Sequence, residues 1–291
     1  MLLTAASALL PAARPAAAIA YGEDVTDGGY PFTVLLTMTG LPATDGGTRD
    51  SSCSGALIAP RWVITAGHCF KDEDERRVDR TVADRTTAVV GRTDLTGGGG
   101  QEAEVDAVHQ AEDSDVALAR LDRPITGVPL VAPATEPPAA GATLRLTGYG
   151  LTADGAPATR LQTGVFTVDA VGDTLLETSG REPRPDTSPC PHDSGGPYVA
   201  ERPGGAPVLV AVVSTGPRCP HEGPDLSARV DVLHDWITGT MSSSHVSHLP
   251  LVLLIAAVVA VLMLGGFAWR RKAACGQLPP VDNSGARRGP A

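Results

Sequence analysis

The sequence predicts an all-β protein closed into a barrel or a sandwich, with one helix at the end of its folded part. Three observations predict it. Short β-type runs recur at 32–38 (FTVLLTM), 55–67 (GALIAPRWVITAG), 86–91, 115–121, 143–150, 164–171 and 207–216. The breaks between them carry Gly, Pro, Asp and Thr, and the chain holds 33 Gly and 25 Pro. Only 226–239 (LSARVDVLHDWITG) shows a helical stripe, at Val230, Leu233, Trp236 and Ile237.

The segments follow in order. Residues 1–18 are apolar, alanine-rich and short for a bilayer span, and they end in Ala16-Ala17-Ala18. That A-x-A ending reads as a secretory signal. Residues 19–240 form the folded domain, with 32 acidic against 17 basic residues. So acidic a domain excludes a nucleic-acid partner, because phosphate binding needs a basic patch. Residues 241–248 are a polar linker. Residues 249–269 are 21 uncharged residues, about 31 Å as a helix, enough to cross a hydrocarbon core. Arg270-Arg271-Lys272 come next, so the tail 270–291 is expected in the cytoplasm and the domain outside. The expected product is a single-pass cell-membrane protein, monomeric, held by one C-terminal helix. Two lysines among many arginines suggest a GC-rich bacterial genome.

Five cysteines divide along the same line. Cys53, Cys69, Cys190 and Cys219 lie in the exported part and Cys275 in the tail. Four allow three pairings, and an exported location permits disulfides. No C-x-x-C pair occurs, so no metal and no cofactor are expected.

The chemistry centres on Ser194, in PCPHDSGGPY (189–198). A serine hydroxyl needs a base to take its proton and a third group to orient that base. Histidine suits the base role, since it titrates near neutral pH. His68 stands at the end of a strand-like run, beside a cysteine, and Asp115 stands at the start of another. The rival nucleophile pattern G-x-S-x-G fails, because His192 occupies its first glycine position.

TAGHC (65–69), DVAL (115–118) and HDSGGP (192–197), in that order, resemble the trypsin/chymotrypsin family. YPFTVLL (30–36), CSGALIAPRWVITAGHC (53–69) and TGYG (147–150) add to the likeness. The resemblance covers residues 19 to about 240. It implies two six-stranded antiparallel β-barrels with the active site between them and a C-terminal helix. It also implies disulfides Cys53–Cys69 and Cys190–Cys219. By the same resemblance Ser194 is the nucleophile, His68 the base and then acid, and Asp115 the orienting carboxylate. The backbone N–H groups of His192 and Ser194 form an oxyanion hole. Ser214 bonds near Asp115, and Ser214 to Gly216 pair with an extended substrate.

The chain departs from the family at four places. His192 replaces a glycine, and its side chain is expected to crowd the leaving-group side or strain the turn. Thr215 replaces a usual tryptophan. Ile19-Ala20-Tyr21-Gly22 stands for Ile-Val-Gly-Gly directly after the A-x-A pattern, so removal of the signal is expected to free an Ile19 ammonium for Asp193. Ser188 stands at the pocket floor where trypsins have Asp, while Asp225 falls on a wall that normally carries glycine; a carboxylate there suits Arg or Lys. The expectation is a membrane-anchored extracellular serine endopeptidase acting on proteins or peptides. The alternative is a catalytically impaired protease-like binding domain.

Overall fold

The computed structural model describes residues 18–43, 46–152, 155–202 and 204–243. Most of the expected signal (1–17), most of the expected linker (244–248), the apolar segment 249–269 and residues 270–291 lie outside the described residues. Among the described residues no helix is long and apolar enough to cross a membrane.

A two-residue strand, β1 (Glu23–Asp24), comes first. Six strands then close a barrel: β2 (Thr33–Pro42), β3 (Thr48–Ala59), β4 (Trp62–Ala66), β5 (Arg85–Val90), β6 (Gln101–Gln110) and β7 (Val116–Leu121), in the order β2-β3-β4-β7-β6-β5. The run 55–67 is two strands, because Pro60 and Arg61 turn the chain between them. Alternation sets which side chains enter the barrel. In β6, Ala103, Val105 and Val108 are buried while Glu102, Glu104 and Asp106 face water. Leu36, Leu57, Ile64 and Leu118 are fully buried at its centre, each worth roughly 1.5–3 kcal/mol relative to exposure.

The second half adds β8 (Ala132–Pro133), β9 (Thr143–Gly148), β10 (Gln162–Val171), β11 (Leu175–Glu182), β12 (Pro197–Ala200), β13 (Val208–Thr215) and β14 (Pro224–Arg229). Pairing β9-β10-β11-β14-β13-β12 and back to β9 closes six of them; β1 lies on β10 and β8 on β13. Leu144, Leu146, Phe166, Leu176, Tyr198 and Ile19 fill this barrel. The two antiparallel barrels are those the sequence implied.

The C-terminal helix starts later than its stripe suggested. Residues 224–229 are strand β14, paired with β11 and β13. A 3-10 turn at Asp231–Leu233 leads into helix α1 (His234–Ser243). Cross-strand pairing claimed the first third of the stripe, and Ile237 alone on α1 is fully buried.

Candidate active site

Sheet register brings His68 and Asp115 together. β4 and β7 run antiparallel with Ala66 opposite Val116. His68 lies two residues past that end of β4, in the 3-10 turn Gly67–Cys69, and Asp115 lies one residue before β7. The His68 N–H donates to Asp115 Oδ1 at 2.8 Å, and Nδ1 lies 2.7 Å from Oδ2. From the other barrel, Ser194 Oγ lies 2.8 Å from His68 Nε2. Ser214 Oγ donates to Asp115 Oδ2 at 2.7 Å.

Four groups therefore form one chain, Ser214 to Asp115 to His68 to Ser194. Burial of Asp115 works against its charge, but bonds from the His68 ring, His68 charge and the Ser214 hydroxyl outweigh it. Its carboxyl is held below the usual range. An ionised Asp115 fixes the tautomer with the proton on Nδ1 and leaves Nε2 free to accept the Ser194 proton.

The nucleophile loop is held from below. Gly195 has φ +78, and a Cβ there would lie 2.1 Å from Thr65 Oγ1 and 2.5 Å from the Ala66 nitrogen, so only glycine fits. The Gly195 N–H donates to Val213 O at 2.8 Å. Ser54, on β3, is the seam between the barrels. Its N–H donates to Ser194 O at 2.9 Å, and its carbonyl accepts from Thr65 Oγ1 at 2.7 Å. Its Oγ donates to His192 O at 3.2 Å and accepts the Tyr149 N–H at 2.9 Å.

His192 has φ +77, which costs a non-glycine residue roughly 1–2 kcal/mol. Its ring does not block the nucleophile: Nδ1 lies 2.7 Å from Ser52 Oγ, while Nε2 of His68 still reaches Ser194. Burial first, then the charge of Arg49, pushes the His192 ring below its usual range. Pro191 O accepts the Leu151 N–H at 2.7 Å. In a planar trans peptide the His192 N–H points opposite to that carbonyl. Among the described residues, neither the His192 nor the Ser194 N–H is taken by a hydrogen bond, so both donors stand free.

Beneath the serine lies a cavity of about 190 Å³, lined by Cys190, Val213, Gly216, Cys219 and Asp225 among others. The Cys190–Cys219 disulfide braces it, and Cys53–Cys69 ties β3 to the histidine turn; both pairings are those the resemblance implied. Asp225 is 2% exposed. A Cβ on Gly216 would lie 1.9 Å from its Oδ1, so the glycine wall and the carboxylate fit only together. His221 Nε2 lies 3.1 Å from Oδ1, and among the described residues Oδ2 has no hydrogen-bond partner. Burial, partly offset by His221, pushes the Asp225 carboxyl up to about 6. Ser188 is buried below this wall, its Oγ accepting the His221 N–H at 3.3 Å.

Asp193 is fully buried. It accepts the Gly150 N–H at 2.8 Å and the Cys190 N–H at 3.0 Å. Burial still dominates, and with Asp225 nearby it pushes the carboxyl up to about 8. No ion pair reaches it among the described residues. Ala18 and Ile19 are fully buried, and the Ala20 N–H donates to Ser188 O at 2.9 Å.

Sequence reasoning missed His221, Ser52 and Arg77. Arg77 clamps the loop before β7: its guanidinium bonds Ser114 O and Glu112 O and lies 4.0 Å from Asp115 Oδ1. His221 stands four residues before Asp225 in a Gly/Pro loop, a spacing that signals nothing outside a helix.

Two closed barrels with a Ser-His-Asp chain at their junction define the class of trypsin-like serine proteases. Comparison with known proteins agrees. The trypsin family model matches residues 19–237, and the chain belongs to that family. It is 28% identical to mouse (Mus musculus) Serine protease 56 over 252 residues, 76% of this chain; the match spans 38% of that protein's length. It is 29% identical to Trypsin iota of Drosophila melanogaster, covering 64% of this chain and 77% of that one. Among solved structures, neuropsin, a serine protease expressed in the limbic system of mouse brain, matches with a TM-score of 0.62. That match has 21% identity over 77% of this chain and all of the other, a likeness in fold.

Proposed function

We propose that the chain is a serine endopeptidase of the cell surface that cleaves peptide bonds after Arg or Lys. The observation that carries the catalytic part is the unbroken chain from Ser214 through Asp115 and His68 to Ser194. His68 Nε2 takes the Ser194 proton as Oγ adds to the scissile carbonyl. The His192 and Ser194 N–H groups receive the oxyanion that forms. The tetrahedral species collapses as His68 returns the proton to the leaving amine, and an acyl-enzyme remains. Water, deprotonated by His68, then releases the acid. The substrate chain would run from the cleft of about 890 Å³ along Asp115, Ser214 and Thr215 toward the smaller one beside Cys69 and His192.

The Arg/Lys preference rests on Asp225, a buried carboxylate among the residues that line the pocket. Activation rests on Asp193, a buried acid with two N–H donors and, among the described residues, no cation. An Ile19 ammonium, released by cleavage after Ala18, would supply one. The signal, the anchor at 249–269 and the monomeric state come from the residue pattern. The intact triad weighs against a binding domain without catalysis.

A fluorophosphonate probe tests the catalytic reading: it labels the wild-type protein and not Ser194→Ala. A wild-type protein that stays unlabelled overturns it. N-terminal sequencing of the mature protein tests activation, and any start other than Ile19 rules that route out.

A further inference from the structure

The residue in the odd oxyanion position is anchored by a partner on the other barrel. We infer that Ser52 is a positioning residue for the oxyanion hole, acting through the His192 ring; this rests on the proteolytic reading above. Ser52 and Ser54 are two residues apart on β3, so both project from the same face of the strand. That face meets His192 twice. Ser52 Oγ holds the ring at Nδ1, 2.7 Å away, and Ser54 Oγ holds the carbonyl oxygen at 3.2 Å.

The consequence is geometric. The Leu151 N–H holds the Pro191 carbonyl on one side of the His192 N–Cα bond, and Ser52 and Ser54 hold the ring and the carbonyl on the other. Held on both sides, that bond stays at φ +77, a value a histidine would otherwise leave. Rotation about φ would swing the Pro191–His192 peptide and turn its N–H away from the reacting carbonyl. A glycine at this place needs no such anchor, because it adopts positive φ freely. The histidine needs one, and β3 supplies it. The ring is neutral at neutral pH through its burial and Arg49, and in that state it still shares one proton with a hydroxyl in either tautomer.

A double-mutant cycle tests the assignment. The second-order rate of fluorophosphonate labelling is the readout, because the phosphonyl oxygen enters the hole as the substrate oxyanion does. Ser52→Ala is expected to slow labelling about fivefold, the worth of one hydrogen bond. Ser52→Thr keeps the hydroxyl and should keep the rate. His192→Gly, which keeps the N–H and removes the ring, sets the second background, and Ser52→Ala added to it should change its labelling rate no further. A purely structural serine would slow both backgrounds alike. Equal labelling of wild type and Ser52→Ala, or the same loss in the His192→Gly background, overturns the inference. Silence in all five proteins overturns the proteolytic reading first, and the inference falls with it.

Discussion

The two barrels treat their sheltered carboxylates in opposite ways. Asp115, at the mouth of the first, is supplied by its own chain with two contacts from His68 and one from Ser214, and its carboxyl is held low. Asp193 and Asp225, in the second, are more deeply buried, and their carboxyls are pushed up to about 8 and about 6. Asp225 keeps one oxygen without a hydrogen-bond partner among the described residues. The first barrel holds a finished charge. The second holds two acids that fall short of a cation, and the difference separates catalytic machinery from places where something arrives.

The sharpest break of that contrast is Asp115→Asn, which removes the finished charge and favours the wrong tautomer of His68. Steady-state kinetics on a cleavable peptide should show kcat down about ten-thousand-fold. Retention of most activity would mean that His68 does not depend on Asp115.

Asp225→Asn strikes the other barrel. It should leave fluorophosphonate labelling intact while the preference for Arg over its uncharged isostere citrulline falls about 10- to 100-fold. An unchanged preference would take Asp225 out of substrate recognition.

Acidity sharpens the same point. The Asp225 carboxyl is neutral below about pH 6 and ionised above it, while a substrate guanidinium stays charged throughout. The Arg-to-citrulline ratio of kcat/KM should therefore plateau at higher pH and fall as pH drops, approaching about tenfold per unit. His68 cancels in the ratio. The groups facing Asp225 are His221 on its own loop, Asp193 on the serine loop and Tyr198 on β12. A ratio that stays flat between about pH 5 and pH 8 in the wild-type protein contradicts the assignment.

The smallest effect belongs to Arg77→Gln. The guanidinium is partly exposed and 4.0 Å from Asp115, so kcat/KM should fall by no more than about fivefold. A loss rivalling Asp115→Asn would show that the first barrel's charge is less finished than its hydrogen bonds indicate.

The family resemblance carried by local motifs made the triad and both disulfides legible, while the cysteines by themselves left three pairings open. The strands β2, β5, β7, β9, β10 and β13 were legible from apolar runs. β6 was not, since Glu102, Glu104 and Asp106 interleave with small Ala103 and Val105 and look like a solvated loop. β14 was hidden under the stripe that continues into α1, where pairing with β11 and β13 overrode helical spacing. The partners of the departures were out of reach for another reason. Ser52 meets His192 across 140 residues, and no periodicity carries a contact between two barrels. His192 read as an intrusion because only its own turn was visible, and its anchor lay on a strand of the other half.

Ser54 touches both halves of the site, and this bears on how the protein comes apart. Opening of the seam between the barrels frees Ser194 O and His192 O together while each sheet keeps its own ladder. Such an opening costs less than global unfolding. Activity on heating is then lost ahead of β-structure. The Ser54 amide exchanges with solvent only when the seam parts, so its exchange rate counts the molecules whose site has come apart at any moment.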